Sequence, residues 1–183
     1  MRWSSIFGTI FRNWVRAFAL LAILPVAGLA QAISNGTTYF DYGIYCAVET
    51  DSQQEAKDTI SGVINILSET PVFIRKGTIV PAQIGVGFGI HVDIPDDLSG
   101  PVTMATVHPP MGPDGITRET WQTTFTPGQI NYSGFTFEFD YELLPGPWQI
   151  SASIDDRLIY SVDFTVVNPR LTAPIACDGT LLS

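Results

Sequence analysis

The chain has 183 residues, 45% of them apolar and 15% charged, with a formal net charge of −9. That apolar content excludes disorder along the whole length. Beyond the first 32 residues, six Lys/Arg stand against eighteen Asp/Glu, a net −12, and so acidic a body repels phosphate backbones and excludes non-specific nucleic-acid binding.

The chain opens with Arg2, Arg12 and Arg16 and no acid, followed by a 13-residue apolar run from Ala17 to Leu29 and then Ala30-Gln31-Ala32. The run is too short to cross a hydrocarbon core of ~30 Å as a helix. A positive start, a short apolar middle and a small-x-small end together predict a secretory signal peptide over residues 1–32. The alternative is an uncleaved anchor starting near Ile6, which Arg12 and Arg16 interrupt. On the first reading the chain meets a membrane only transiently, and residues 33–183 form one exported, periplasmic or secreted domain. Cys46 and Cys177 are the only cysteines. They exclude a four-cysteine zinc site, and in an oxidising compartment their default state is a disulfide. The alternative is one buried thiol and one in a tail.

Period-two alternation governs the rest. Phe40, Tyr42, Ile44, Cys46 and Val48 share one face of a predicted strand, which points Cys46 toward the core. Residues 51–58 are polar and read as a loop or short helical turn. Val63 to Leu67 reads as a short strand, and Val72-Phe73-Ile74 starts another after Thr70-Pro71. Ile84, Val86, Phe88, Ile90, Val92 and Ile94 form the clearest apolar face, with Gly85, Gly87, Gly89, His91 and Asp93 opposite. Three glycines in phase weaken a strand. Either aromatic side chains lie across the bare backbone, or Gly85, Gly87 and Gly89 make a flat face for a partner.

Val102 to His108 is a further strand. The run Pro109-Pro110-Met111-Gly112-Pro113-Asp114-Gly115 reads as a rigid loop, since proline cannot donate to a ladder. Prolines pre-order such a loop and lower the entropy lost on binding. His108, Pro109, Pro110, Met111 and Asp114 are therefore the candidate binding loop, with Met111 as its exposed tip; the alternative is a rigid connection between sheets. Trp121, Thr123 and Phe125 alternate, as do Phe135, Phe137 and Phe139. Trp148, Ile150, Ala152 and Ile154 share a face, Asp155-Asp156-Arg157 makes a hairpin tip, and Leu158 to Val166 returns. Eight or nine short strands with polar turns predict an all-β, antiparallel, immunoglobulin-like sandwich.

No nucleophile elbow, phosphate loop or His-Glu-x-x-His motif occurs, so no catalytic residue, cofactor or metal ligand is assigned. His91 and His108 read as solvated or structural, and the acidic runs lack the Asp-x-Asp-x-Asp-Gly spacing of a calcium loop.

Gly43-Ile44-Tyr45-Cys46, the run Val80 to Gly89, His108 to Gly115, and Gly146-Pro147-Trp148 resemble an uncharacterised family of exported bacterial proteins, catalogued as a domain of unknown function. The resemblance implies a small exported β-domain and supplies no catalytic residue. The expected role is a non-catalytic module that presents a loop or sheet face to another envelope protein. The alternative is a carbohydrate-binding module, its glycan held by Tyr39, Tyr45, Trp121 or Tyr132.

Overall fold

The computed structural model describes residues 31–33, 37–98 and 100–177. The predicted signal segment lies outside them as far as Ala30. The described chain forms twelve strands: β1 (Ala32–Ile33), β2 (Tyr39–Cys46), β3 (Thr50–Glu55), β4 (Val63–Leu67), β5 (Arg75–Lys76), β6 (Ile79–Pro81), β7 (Val86–Asp93), β8 (Pro101–Met111), β9 (Ile116–Thr124), β10 (Asn131–Thr136), β11 (Gly146–Ile154) and β12 (Arg157–Val167).

One sheet runs β1-β12-β11-β8-β9, with β6 also on β12, and the other runs β10-β7-β2-β5. All pairings within them are antiparallel except that of β6 with β12, which is parallel. The chain crosses between these sheets from β1 to β2, from β5 to β6, from β6 to β7, from β7 to β8, from β9 to β10 and from β10 to β11. Two antiparallel sheets joined by such crossings are the Greek-key sandwich of immunoglobulin-like domains. The predicted fold class is therefore the observed one.

Alternation explains which side chains fill the space between the sheets. Val86, Phe88, Ile90 and Val92 of β7 meet Trp148, Ile150 and Ala152 of β11 and Val162, Phe164 and Val166 of β12, all buried. Burying side chains of this size contributes roughly 1.5–3 kcal/mol each. At the β11–β12 tip, Asp155 and Asp156 take left-handed φ of 47° and 62°, as a two-residue hairpin turn requires.

Two expectations need correction, and the sequence leaves a third point open between two readings. Residues 51–58 hold no loop throughout: Thr50–Glu55 is strand β3, paired with β4 in a separate two-stranded ribbon. All six residues of β3 are exposed, so no buried face imposed an alternation. The proline run is not wholly loop either, because β8 continues through Pro109 and Pro110 to Met111. The register shifts between Val107 and Met111, and an interrupted ladder is where a strand tolerates residues without an N–H.

The third concerns the glycines. Gly85 is a turn residue with φ of +79°, and Gly87 and Gly89 are covered rather than open. Tyr45 pairs with Gly87 and its ring lies across it, while Tyr132 and the Ser133 backbone crowd Gly89. Tyr45 is buried, its phenol pushed up to about 12 by desolvation, and its hydroxyl bonds Thr136 Oγ1 at 2.7 Å. On the same face Phe73 stacks on His91 at 4.2 Å. The flat face offered to a partner is thus a roofed one. Gly87→Ala should cost about 1–3 kcal/mol, the range for overpacking. Urea unfolding checks it, and an unchanged midpoint would mean that Tyr45 moves aside freely.

Candidate binding site

The inward face of β8 is apolar at Val102 and Met104 and turns polar at Thr106 and His108, all four buried. His108 is not a surface loop residue. Its ring lies 5.0 Å from that of Trp148, and its Nδ1–H donates to the Pro109 carbonyl at 2.8 Å. Nε2 faces Glu119 Oε1 at 3.3 Å. Glu119 comes from β9 through the pairing Thr106↔Glu119. This contact is ionic only when the imidazole carries both protons.

Glu119 also fastens the next layer. Its Oε2 accepts the Ile60 N–H at 2.7 Å, and the Thr120 N–H donates to the Asp58 carbonyl at 3.1 Å. The turn at 56–62 is closed on itself by Ala56 N–H to Gly62 O and by Thr59 Oγ1 to Ala56 O, both 2.8 Å. A carboxylate inside one strand therefore holds a preformed turn beside the tip of the β8–β9 hairpin.

Between turn and tip lies a cavity of about 460 Å³, lined among others by Lys57, Asp58, Ile60, Met111, Asp114 and Arg118. The candidate loop supplies one wall through Met111, Gly112, Pro113 and Asp114. Met111 is only 3% exposed, so it is a wall residue and not a protruding tip. Pro110 and Asp114 are exposed. The hairpin turns through Gly112 and Gly115, with φ of +69° and +62°, which favours glycine. Lys57 pairs with Glu55 at 3.4 Å, both well exposed, an arrangement of little energetic weight. Arg118 has no ion pair among the described residues.

Glu142 is the other buried carboxylate nearby. It closes the 3-10 turn Asp140–Glu142, its Oε2 accepting the N–H groups of Glu138 at 2.6 Å and Phe139 at 2.9 Å. Burial raises its pKa from the ordinary glutamate value, against the lowering effect of those two hydrogen bonds, and the charges of Glu138 and Glu119 add to the rise. A carboxyl whose pKa is raised on folding binds its proton more tightly in the native state. Its contribution is full below the unfolded pKa and is lost as pH rises through the folded one. Glu142→Gln should therefore lose ground to the wild type in acid and gain on it toward pH 7. Melting temperatures across pH 3–8 check the sign, and parallel curves would contradict it.

Sequence reasoning missed Glu119, although it lies in phase with Trp121 and Phe125 and so announces an acid on an inward face. The predicted sugar rings form no exposed platform: Tyr45 and Tyr132 meet edge to face at 5.7 Å on the roofed face, and of the four only Tyr39 is exposed. Tyr45 is buried, Trp121 packs against the core, and the Tyr132 hydroxyl is buried. Among the described residues no three His, Cys, Asp or Glu side chains gather around a metal position. The predicted pairing of Cys46 and Cys177 is present, with Cα atoms 5.3 Å apart.

A family model described as "Domain of unknown function (DUF3859)" matches residues 34–166. No curated protein matches the chain. Among solved structures, an immunoglobulin-like protein from Pseudomonas aeruginosa is similar at 20% identity, over 77% of this chain and 99% of that one, with a TM-score of 0.49.

Proposed function

The chain belongs to the family Domain of unknown function (DUF3859), and we propose that it is an exported, non-catalytic binding module that receives an envelope partner at the groove beside the β8–β9 tip. The observation that carries this reading is the groove itself. It has a volume of about 460 Å³ and two preformed walls, and sets Arg118, without an ion pair among the described residues, beside apolar Ile60 and Ile116. Concave, largely pre-formed sites with a few placed polar groups are where binding concentrates. The buried pair His108 and Glu119 does not line the groove, which supports a binding role over a catalytic one. The Cys46–Cys177 bridge and the Arg-rich, apolar, Ala-x-Ala start of the sequence support export. Intact mass of the mature protein should place its first residue near Ile33.

The test is a photocrosslinking residue at Ile116, compared with one at Asp155 at the opposite end of the same sheet. In whole cells Ile116 should give one discrete adduct that Arg118→Glu removes, and Asp155 none. Equal labelling from both positions would defeat the assignment.

A further inference from the structure

Away from the groove wall, Phe139 and Tyr141 stack on one another with ring centroids 5.4 Å apart and planes 7° apart, and they are 50% and 44% exposed. The backbone beneath them is rigid, because the buried Glu142 carboxylate takes the N–H groups of both Glu138 and Phe139. Two adjoining half-exposed rings on a stapled turn make a contiguous apolar surface of the kind that marks an interaction site.

Charge surrounds this ledge with one sign. Glu138, Asp140 and Glu142 flank the rings in sequence, and Glu138 is satisfied by the neutral Asn65 amide at 2.8 Å. No Lys or Arg forms an ion pair with any of the three among the described residues. The Tyr141 phenol responds to this field: its pKa is raised by partial burial and then by the charges of Glu142, Glu119 and Glu138.

We propose that the Phe139–Tyr141 ledge docks an arginine-bearing segment of a partner protein. A guanidinium stacks on an aromatic face and can fork to a carboxylate such as Asp140 at the same time. A neutral sugar could donate hydroxyls to these carboxylates but would gain no ionic attraction from them. The proposal is independent of the groove, so failure of the crosslinking test leaves it standing.

A capped tetra-arginine peptide, titrated calorimetrically at low salt into the folded domain, tests it. Wild type should bind, and Phe139→Leu with Tyr141→Leu, which keeps the net charge, should weaken binding about tenfold. Asp140→Asn should weaken it less, and added salt should weaken it throughout. Equal affinity of wild type and double variant would reduce the binding to bulk charge and overturn the proposal. A second reading uses the wild type alone. The Arg δ protons of the bound peptide should shift upfield in the ring current, and their staying unshifted overturns the proposal. So would cellohexaose binding that needs the two rings while the peptide does not.

Discussion

Trp148→Ala should lower the stability of the domain by about 3–5 kcal/mol, the range for deleting a buried aromatic side chain. The indole is 1% exposed and touches both sheets. On β11 it meets Phe88 of β7 edge-on at 5.7 Å, Phe135 of β10 at 4.9 Å and Phe137 at 5.9 Å. Such tilted and edge-on pairs add to the burial itself. The indole N–H donates to the Leu144 carbonyl at 3.0 Å, so truncation also removes that carbonyl's partner. Two features make collapse into the void difficult. Phe88 is held on β7, Phe135 on β10 and Phe137 just beyond β10 by backbone bonds to Val86 and Gly85, and His108 on the fourth side is itself fixed to Pro109 and faces Glu119. The upper half of the range is therefore expected. Chemical unfolding followed by far-UV circular dichroism measures the loss, and a value under about 1 kcal/mol would show that the ring anchors nothing. Trp148→Phe, which keeps a ring but loses the hydrogen bond, should fall between.

Trp148 was legible because it stands in phase with Ile150, Ala152 and Ile154 after Gly146-Pro147. The same period exposed β7 and β12, whose bulky faces can only turn inward. Where a strand buries no face, the period disappears. Thr50–Glu55 pairs with β4 without any apolar residue, and nothing in its composition separates it from a loop. Prolines misled at the end of β8 for a different reason. They rule out donation to a ladder, and the register shift between Val107 and Met111 removes the need for it there. Met111 then turns into the groove wall, which only the return of β9 and the docking of the turn at 56–62 could reveal. The groove's second wall comes from Lys57, Asp58 and Ile60, more than fifty residues earlier, and no local pattern links them to Arg118. Glu119 went unread although it stands in phase with Trp121 and Phe125, and no local pattern points to its partner. Meeting His108 depends on how β8 pairs with β9.

Replacing Cys46 and Cys177 together by serine should cost about 3–5 kcal/mol. The bridge spans 131 residues, and in the chain-entropy picture a loop that long restrains the unfolded chain by nearly 5 kcal/mol, with residual structure in that chain reducing the figure. The native state adds a second, local consequence. After β12 the chain runs as a tail, and only a few contacts hold it besides the bridge. Arg75 donates to the carbonyls of Ala173 and Pro174 at 2.9 and 3.2 Å, Gln83 donates to that of Ile175 at 3.2 Å, and the Ile175 side chain is buried. These fix the tail across β2 and the turn before β7, where Cys46 waits at the end of its strand. Without the bridge, three side-chain bonds and one isoleucine must outweigh the entropy of ordering the tail, at about 1–2 kcal/mol of backbone freedom per residue. The tail should therefore open locally before the sandwich unfolds. Limited proteolysis should clip the tail at residues 173–177 and spare β7 and β11. The denaturant slope should rise as well, because an uncrosslinked chain exposes more surface when it unfolds. A double variant with wild-type midpoint and a still-protected tail would mean that Arg75, Gln83 and Ile175 suffice, and that the bridge restrains a chain already compact before it folds.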